Sequence, residues 1–112
     1  MSFKFPKWLI AEYLEQLNRD LFDNRMDISD LKVKQNLKNP RIFAYEWNFT
    51  IQLNPGKIGH CDELFNTLAH ELIHYYQESL EIPNNHGGAF FRFYAKKYCG
   101  LFDENYKSFK GY

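Results

Sequence analysis

Cysteine is scarce in this chain. The 112 residues include two, Cys61 and Cys99, too few for a disulfide scaffold and without the Cys-x-x-Cys spacing of a zinc ribbon. A reducing compartment is the default, and the cytoplasm is the expected location. Both cysteines read as small buried apolar residues rather than as ligands. Charge of one sign is missing too. Fourteen Lys and Arg stand against fourteen Asp and Glu, so the whole molecule has no field to hold it on nucleic acid or acidic lipid, and any such affinity must be local. Long hydrophobic runs are absent. The N-terminal stretch MSFKFPKWLIAEYLEQ is interrupted by Glu12 and is too short in apolar residues for a signal-peptide core or a membrane span, so no membrane partner is expected. Nor is there an internal repeat or a low-complexity segment.

What is present is apolar mass. Hydrophobic residues make up 45% and aromatics 19%, which excludes disorder and supplies one modest core without covalent staples. A single domain over residues 1–112 follows. Charge by segment is more informative than the total. Residues 60–85 hold Asp62, Glu63, Glu71, Glu78 and Glu81 with no Lys or Arg, a stretch that suits a bound divalent cation. Basic residues return after it, with Arg92, Lys96, Lys97, Lys107 and Lys110 against Asp103 and Glu104.

Periodicity sorts the chain into elements. Ile10, Tyr13, Leu14, Leu17 and Leu21 keep helical spacing and predict a helix over 6–22, with Pro6 in its first turn. Leu31 and Val33 alternate with Lys32 and Lys34, which predicts a short strand. Tyr45, Trp47, Phe49, Ile51 and Leu53 then occupy every odd position, with Glu46, Asn48, Thr50 and Gln52 between them. This is one long strand or a hairpin turning near residues 46–48, within a small sheet of two or three strands over 30–54. Leu64, Leu68, Leu72, Ile73, Tyr76 and Leu80 return to helical spacing and predict a second helix over 62–81, stopped by Pro83. Phe90, Tyr94, Tyr98 and Leu101 mark a third helix over 88–100, in which Phe93 and Tyr94 read as core. A basic, aromatic tail fills 101–112. The fold class is α+β: an N-terminal helix, a sheet containing an antiparallel pair, and two further helices.

The second helix carries His70-Glu71-Leu72-Ile73-His74, the HExxH pattern. Side chains four apart lie about 40° around a helix and one turn along it, so both imidazoles can reach one zinc ion from a single face. Leu72, between them, points away and can bury. A catalytic Zn2+ needs three protein ligands and an open position for water. Glu78 continues the spacing but sits a further turn, about 6 Å, along the axis, too far to share the ion. It could instead accept a hydrogen bond from a ligand histidine, as could Asp62 or Asp103. His86 is the better third ligand, because the turn after Pro83 reverses the chain toward the metal face and Gly87 and Gly88 allow close approach. His60, two turns or so before the pair, reads as a loop or capping residue.

The run HELIHYYQ at 70–77, followed by HGGAFF at 86–91, resembles the SprT-like zinc metallopeptidases, which include the Spartan-type proteases of DNA-protein crosslinks. The likeness extends over about residues 48–98, with His86, Gly87 and Phe90 matching the family's HGxxF/W pattern. It implies a small zincin-like domain, zinc held by His70, His74 and His86, and Glu71 as general base. It also favours the hairpin and makes Phe49 to Leu53 the strand nearest the cleft, against which a peptide would lie extended. Protein or peptide substrates are implied, with DNA-associated proteins among them. The cysteine-rich zinc ribbon that often follows this domain is missing from the sequence, so DNA contact would fall to the tail around Tyr106, Lys107 and Lys110. The oxyanion-stabilising residue is open, with Tyr75, Tyr76 and Tyr94 as candidates. A second class of function, a catalytically silent zinc-binding interaction module or adaptor, uses the same helix without the chemistry.

Overall fold

Pro6, with φ −60° and ψ 142°, sets the first helix going: its carbonyl accepts from the N–H groups of Leu9 and Ile10. A computed structural model describes residues 4–83 and 88–102, the last five of them by backbone alone. Helix α1 spans Lys7–Phe22 and buries Ile10, Leu14, Leu17, Leu21 and Phe22, the stripe that the spacing predicts. It ends on Asp23, which takes the left-handed conformation usually left to glycine, while the N–H of Asn24 reaches back 2.9 Å to the carbonyl of Asn18. Lys97 of the third helix donates to the Leu21 carbonyl at 2.9 Å, placing a cation at the negative end of α1.

Three short strands follow, β1 (Lys32–Lys34), β2 (Ala44–Trp47) and β3 (Thr50–Leu53), in the order β1-β3-β2. β3 is central, parallel to β1 and antiparallel to β2. The long alternating run is therefore a hairpin, turning on Asn48 and Phe49, both with positive φ (52° and 59°) as a two-residue turn of type I′ requires. A loop of even length switches parity. Ile51 and Leu53 of β3 share the inner face with Glu46 and Ala44 of β2, while Tyr45 and Trp47 go to the outer face beside Gln52 and Thr50. Trp47 is consequently 73% exposed, and a glutamate takes the place in the core that unbroken alternation would give to an aromatic.

Helix α2, Cys61–Ser79, lies across β2 and β3 and carries Leu64, Leu68, Leu72 and Ile73 into the core. His60 occupies its N-cap position without a side-chain capping bond; Glu63 instead accepts from the Gly59 N–H at 2.8 Å. A Cβ on residue 59 would come within 2.9 Å of that carboxylate oxygen, so a larger residue there would displace the Glu63 side chain. Cys61 is exposed on the first turn of α2, contrary to the buried role expected of it. The helix stops at Ser79, two residues short of the expected end, where Glu81 turns left-handed (φ 58°). The N–H groups of Glu81 and Ile82 then close onto the carbonyls of Glu78 and Gln77.

Helix α3, Ala89–Phe102, packs on α2 and α1 and runs two residues past the expected end at residue 100. Among its described side chains, Phe91 and Ala95 are buried, one residue on from the expected stripe. Phe90 and Tyr94 sit half-buried on the flank against Tyr76, and Phe93 is exposed rather than core. Three helices and a mixed three-stranded sheet make this an α+β domain. Among the described residues no helix is long and apolar enough to cross a membrane. Residues 103–112, the bulk of the basic and aromatic tail, lie outside the described residues.

Candidate metal centre

The HExxH residues fall on successive turns in the second half of α2. The rings of His70 and His74 lie 5.0 Å apart between centroids, inclined at 74°. Both meet a third ring: Phe91 of α3 is 5.0 Å from His70 and 4.9 Å from His74. The start of α3 is thus brought to the face of α2 that carries the histidines. His74 is 2% exposed and His70 half-buried, and Leu72 faces wholly into the core as the helical geometry predicts. Glu71 is 0% exposed, with both carboxylate oxygens shut off from solvent.

His74 Nδ1 lies 2.8 Å from Oε1 of Gln77, one turn further along α2. An amide oxygen only accepts, so this contact favours a proton on Nδ1, which in the neutral ring leaves the electron pair on Nε2. Glu78, Asp62 and Asp103 are the histidine partners that the sequence suggests, but His74 meets Gln77 instead. Asp103 is outside the described residues, Asp62 is on the first turn of α2, and Glu78 is turned elsewhere.

Glu78 reaches the hairpin. The N–H of Phe49 donates to Glu78 Oε1 at 2.8 Å and to Glu46 Oε2 at 3.1 Å, so two carboxyl groups converge on one donor. Burial first, then the adjoining Glu78 carboxyl, push Glu46 up to about 8, against a smaller opposite pull from the Phe49 N–H. A Glu46 carboxyl kept protonated at neutral pH can share its proton with Glu78 and avoid two neighbouring charges. The Phe49 ring closes the assembly from above, edge-on to Tyr75 at 5.8 Å.

His86 lies outside the described residues. Among those described, no group of three His, Cys, Asp or Glu side chains is gathered to hold a metal ion. His70 and His74 fit two donor positions of a zinc site in their chemistry: both are imidazoles, they share a face, and Nδ1 of one already has a partner in the Gln77 amide. His60 is not near this role, pairing at 3.7 Å with Glu63 at the far end of the helix. The tyrosines considered for the oxyanion are in structural positions. Tyr75 donates to the Asp27 carbonyl at 3.2 Å, and Tyr76 and Tyr94 pack with Phe22 and Phe90; burial raises the phenols of Tyr75 and Tyr94 above the usual tyrosine value.

β3 is not available to a bound peptide, because both of its edges are paired. This corrects the expectation that Phe49 to Leu53 would take the substrate. Among the described residues, the strand with a free edge beside α2 is β2. In a two-residue hairpin the flanking pair, Trp47 and Thr50, exchange main-chain bonds, so Tyr45 and Trp47 turn theirs to β3 while Ala44 and Glu46 turn theirs outward. A cavity of about 1230 Å³ lies elsewhere, between α1 and β1, lined by Ile10, Leu14, Asn18, Lys32 and Lys34 and by no residue of α2 or α3.

Gln77, Phe91 and Glu46 are residues of this region that the sequence does not single out. Gln77 has a signal in its i+3 spacing from His74, and Glu46 has one once the turn is placed at Asn48-Phe49. Phe91 has none beyond its place in HGGAFF.

Architecture and site together define an α+β domain whose central helix, packed on a small mixed sheet, presents a histidine pair next to a buried glutamate. The SprT-like family model matches residues 10–107, and the chain belongs to the SprT-like family. No curated protein and no solved structure gives a match to it.

Proposed function

We infer that this chain is a zinc-dependent endopeptidase in which His70, His74 and His86 hold the metal and Glu71 is the general base. The observation that carries the reading is the single contact of Phe91 with both HExxH imidazoles. It ties the first turn of α3, through a residue five after His86 in sequence, to the histidine face. Zinc in such a centre would supply Lewis-acid polarisation of the scissile carbonyl and a lowered pKa for attacking water. The chain's own part is proton handling and positioning. Glu71 takes a proton from the attacking water as the C–O bond forms, then delivers it to the amine nitrogen as the C–N bond breaks. An extended peptide would pair with the outward main-chain groups of Ala44 and Glu46 on β2, a mode that tolerates many sequences because main chain recognises main chain. Substrates are proteins or peptides, and DNA-associated proteins would be favoured if the tail supplies local contacts to DNA.

The complete burial of Glu71 favours a second reading, a catalytically silent zinc-binding module or adaptor, since a base must reach its water. Metal analysis together with digestion of casein and of a DNA-bound protein separates the two. The peptidase reading expects one zinc per chain, cleavage by the wild type, and an inactive but folded and zinc-loaded Glu71→Gln. Zinc without cleavage by the wild type would leave the adaptor.

A further inference from the structure

We propose that Gln77 is the positioning residue of the metal centre, holding His74 as the Nδ1–H tautomer so that Nε2 is the donor atom. The inference rests on the metal reading above and adds a residue to it. Positions i and i+3 on a helix are neighbours, and here they are joined by a 2.8 Å hydrogen bond within the protein interior, His74 being 2% and Gln77 1% exposed. A neutral imidazole can carry its proton on either nitrogen. Only a fixed acceptor at one of them decides which, and water is largely excluded from doing so here.

The choice of an amide has its own reason. The partner of a metal-binding histidine is often a carboxylate. At this position a carboxylate would sit fully buried on a helix whose neighbourhood already holds Glu71, Glu78 and, across on β2, Glu46. Gln77 presents the same acceptor oxygen without a further charge to desolvate. The α2 terminus secures its backbone as well, since the Gln77 carbonyl accepts from the Ile82 N–H at 2.9 Å. The acceptor is therefore held at both main chain and side chain, and the ring it orients has little freedom to turn.

Two measurements test this. The first is the ¹⁵N spectrum of the histidine side chains in metal-free wild type, at a pH where the rings are neutral. His74 should show the Nδ1–H pattern; an Nε2–H pattern would overturn the proposal with no substitution made. The second is zinc affinity by competition with a chromophoric chelator, with the melting temperature of each metal-free variant recorded alongside. Gln77→Leu should bind zinc about 10- to 100-fold more weakly. Gln77→Glu keeps an acceptor and should restore binding to the wild-type level or better, a rescue that a purely structural role would not produce. Unchanged affinity in a folded Gln77→Leu overturns the positioning role alone. Absence of zinc on the wild type overturns the metal centre, and the positioning role with it. If Gln77→Leu does not fold, the wild-type spectrum and Gln77→Glu decide.

Discussion

A carboxyl group buried beside another carboxyl keeps its proton to a higher pH than it would in the unfolded chain, and Glu46 is in that position beneath the hairpin turn. Its folded value of about 8 lies above the ordinary 4.5, so between those limits the folded state binds more protons than the unfolded state. Stability linked to this group is full at acid pH and falls as pH rises through the window. Above about pH 8 the carboxyl is ionised in both states and the dependence ends. The groups facing it are Glu78 of α2 and the Phe49 N–H. Glu46→Gln keeps an acceptor and removes the titration. Melting curves from pH 5 to 9 should show the wild type losing stability relative to Glu46→Gln, with the gap widening toward pH 8. Parallel curves for the two proteins would mean that Glu46 ionises as an ordinary surface carboxylate. At the site itself, His70→Ala, His74→Ala and His86→Ala should each lose zinc, while Glu71→Gln keeps it and loses cleavage. Full metal content in His86→Ala would remove that residue from the ligand set.

At the scale of elements, helices were legible from spacing because their stripes repeat several times. Ile10, Leu14, Leu17 and Leu21 all bury, and so do Leu64, Leu68 and Leu72. The hairpin was less legible. Asn48 and Phe49 both adopt positive φ, yet Phe49 is not a residue that announces a type I′ turn, and without the turn the parity of β2 reads the wrong way. Glu46 and Trp47 therefore exchange their expected surroundings. Helix ends were hidden for a related reason: Asp23 and Glu81 do at the C-termini of α1 and α2 what glycine does more cheaply. Glu81 makes no packing contact that a fully buried side chain would, being exposed, and its φ of 58° disfavours any residue with a Cβ. Glu81→Gly should thus stabilise the fold by up to about 1 kcal/mol, the relief of the left-handed conformation being partly offset by the greater freedom of glycine in the unfolded chain. Chemical denaturation checks this, and a loss of stability would mean that the carboxylate has a role the turn geometry does not express.

For the molecule as a whole, the candidate site joins two elements, α2 and α3, that pack against each other. Two of the proposed donors, His70 and His74, belong to α2, while the third precedes α3, whose Phe91 lies on both rings. A cation bound by all three would link the two helices by coordination as well as by packing. Ligands that bind only the folded state stabilise it by mass action, about 2.7 kcal/mol when the free ligand is one hundred times its Kd. Zinc should therefore raise the melting temperature of the wild type by several degrees, and a strong chelator should return it to the metal-free value. The increase should disappear in His70→Ala and His74→Ala, which lose donors on α2. It should disappear equally in His86→Ala, although that residue lies on another segment, because two imidazoles on one helix neither complete a zinc site nor link α2 to α3. Amide exchange adds a spatial reading of the same event: protection gained on adding zinc should extend beyond α2 into the first turn of α3. A zinc-dependent rise in His86→Ala as large as in the wild type, with exchange slowed on α2 alone, would confine the metal to one helix and remove the coupling on which the peptidase reading relies.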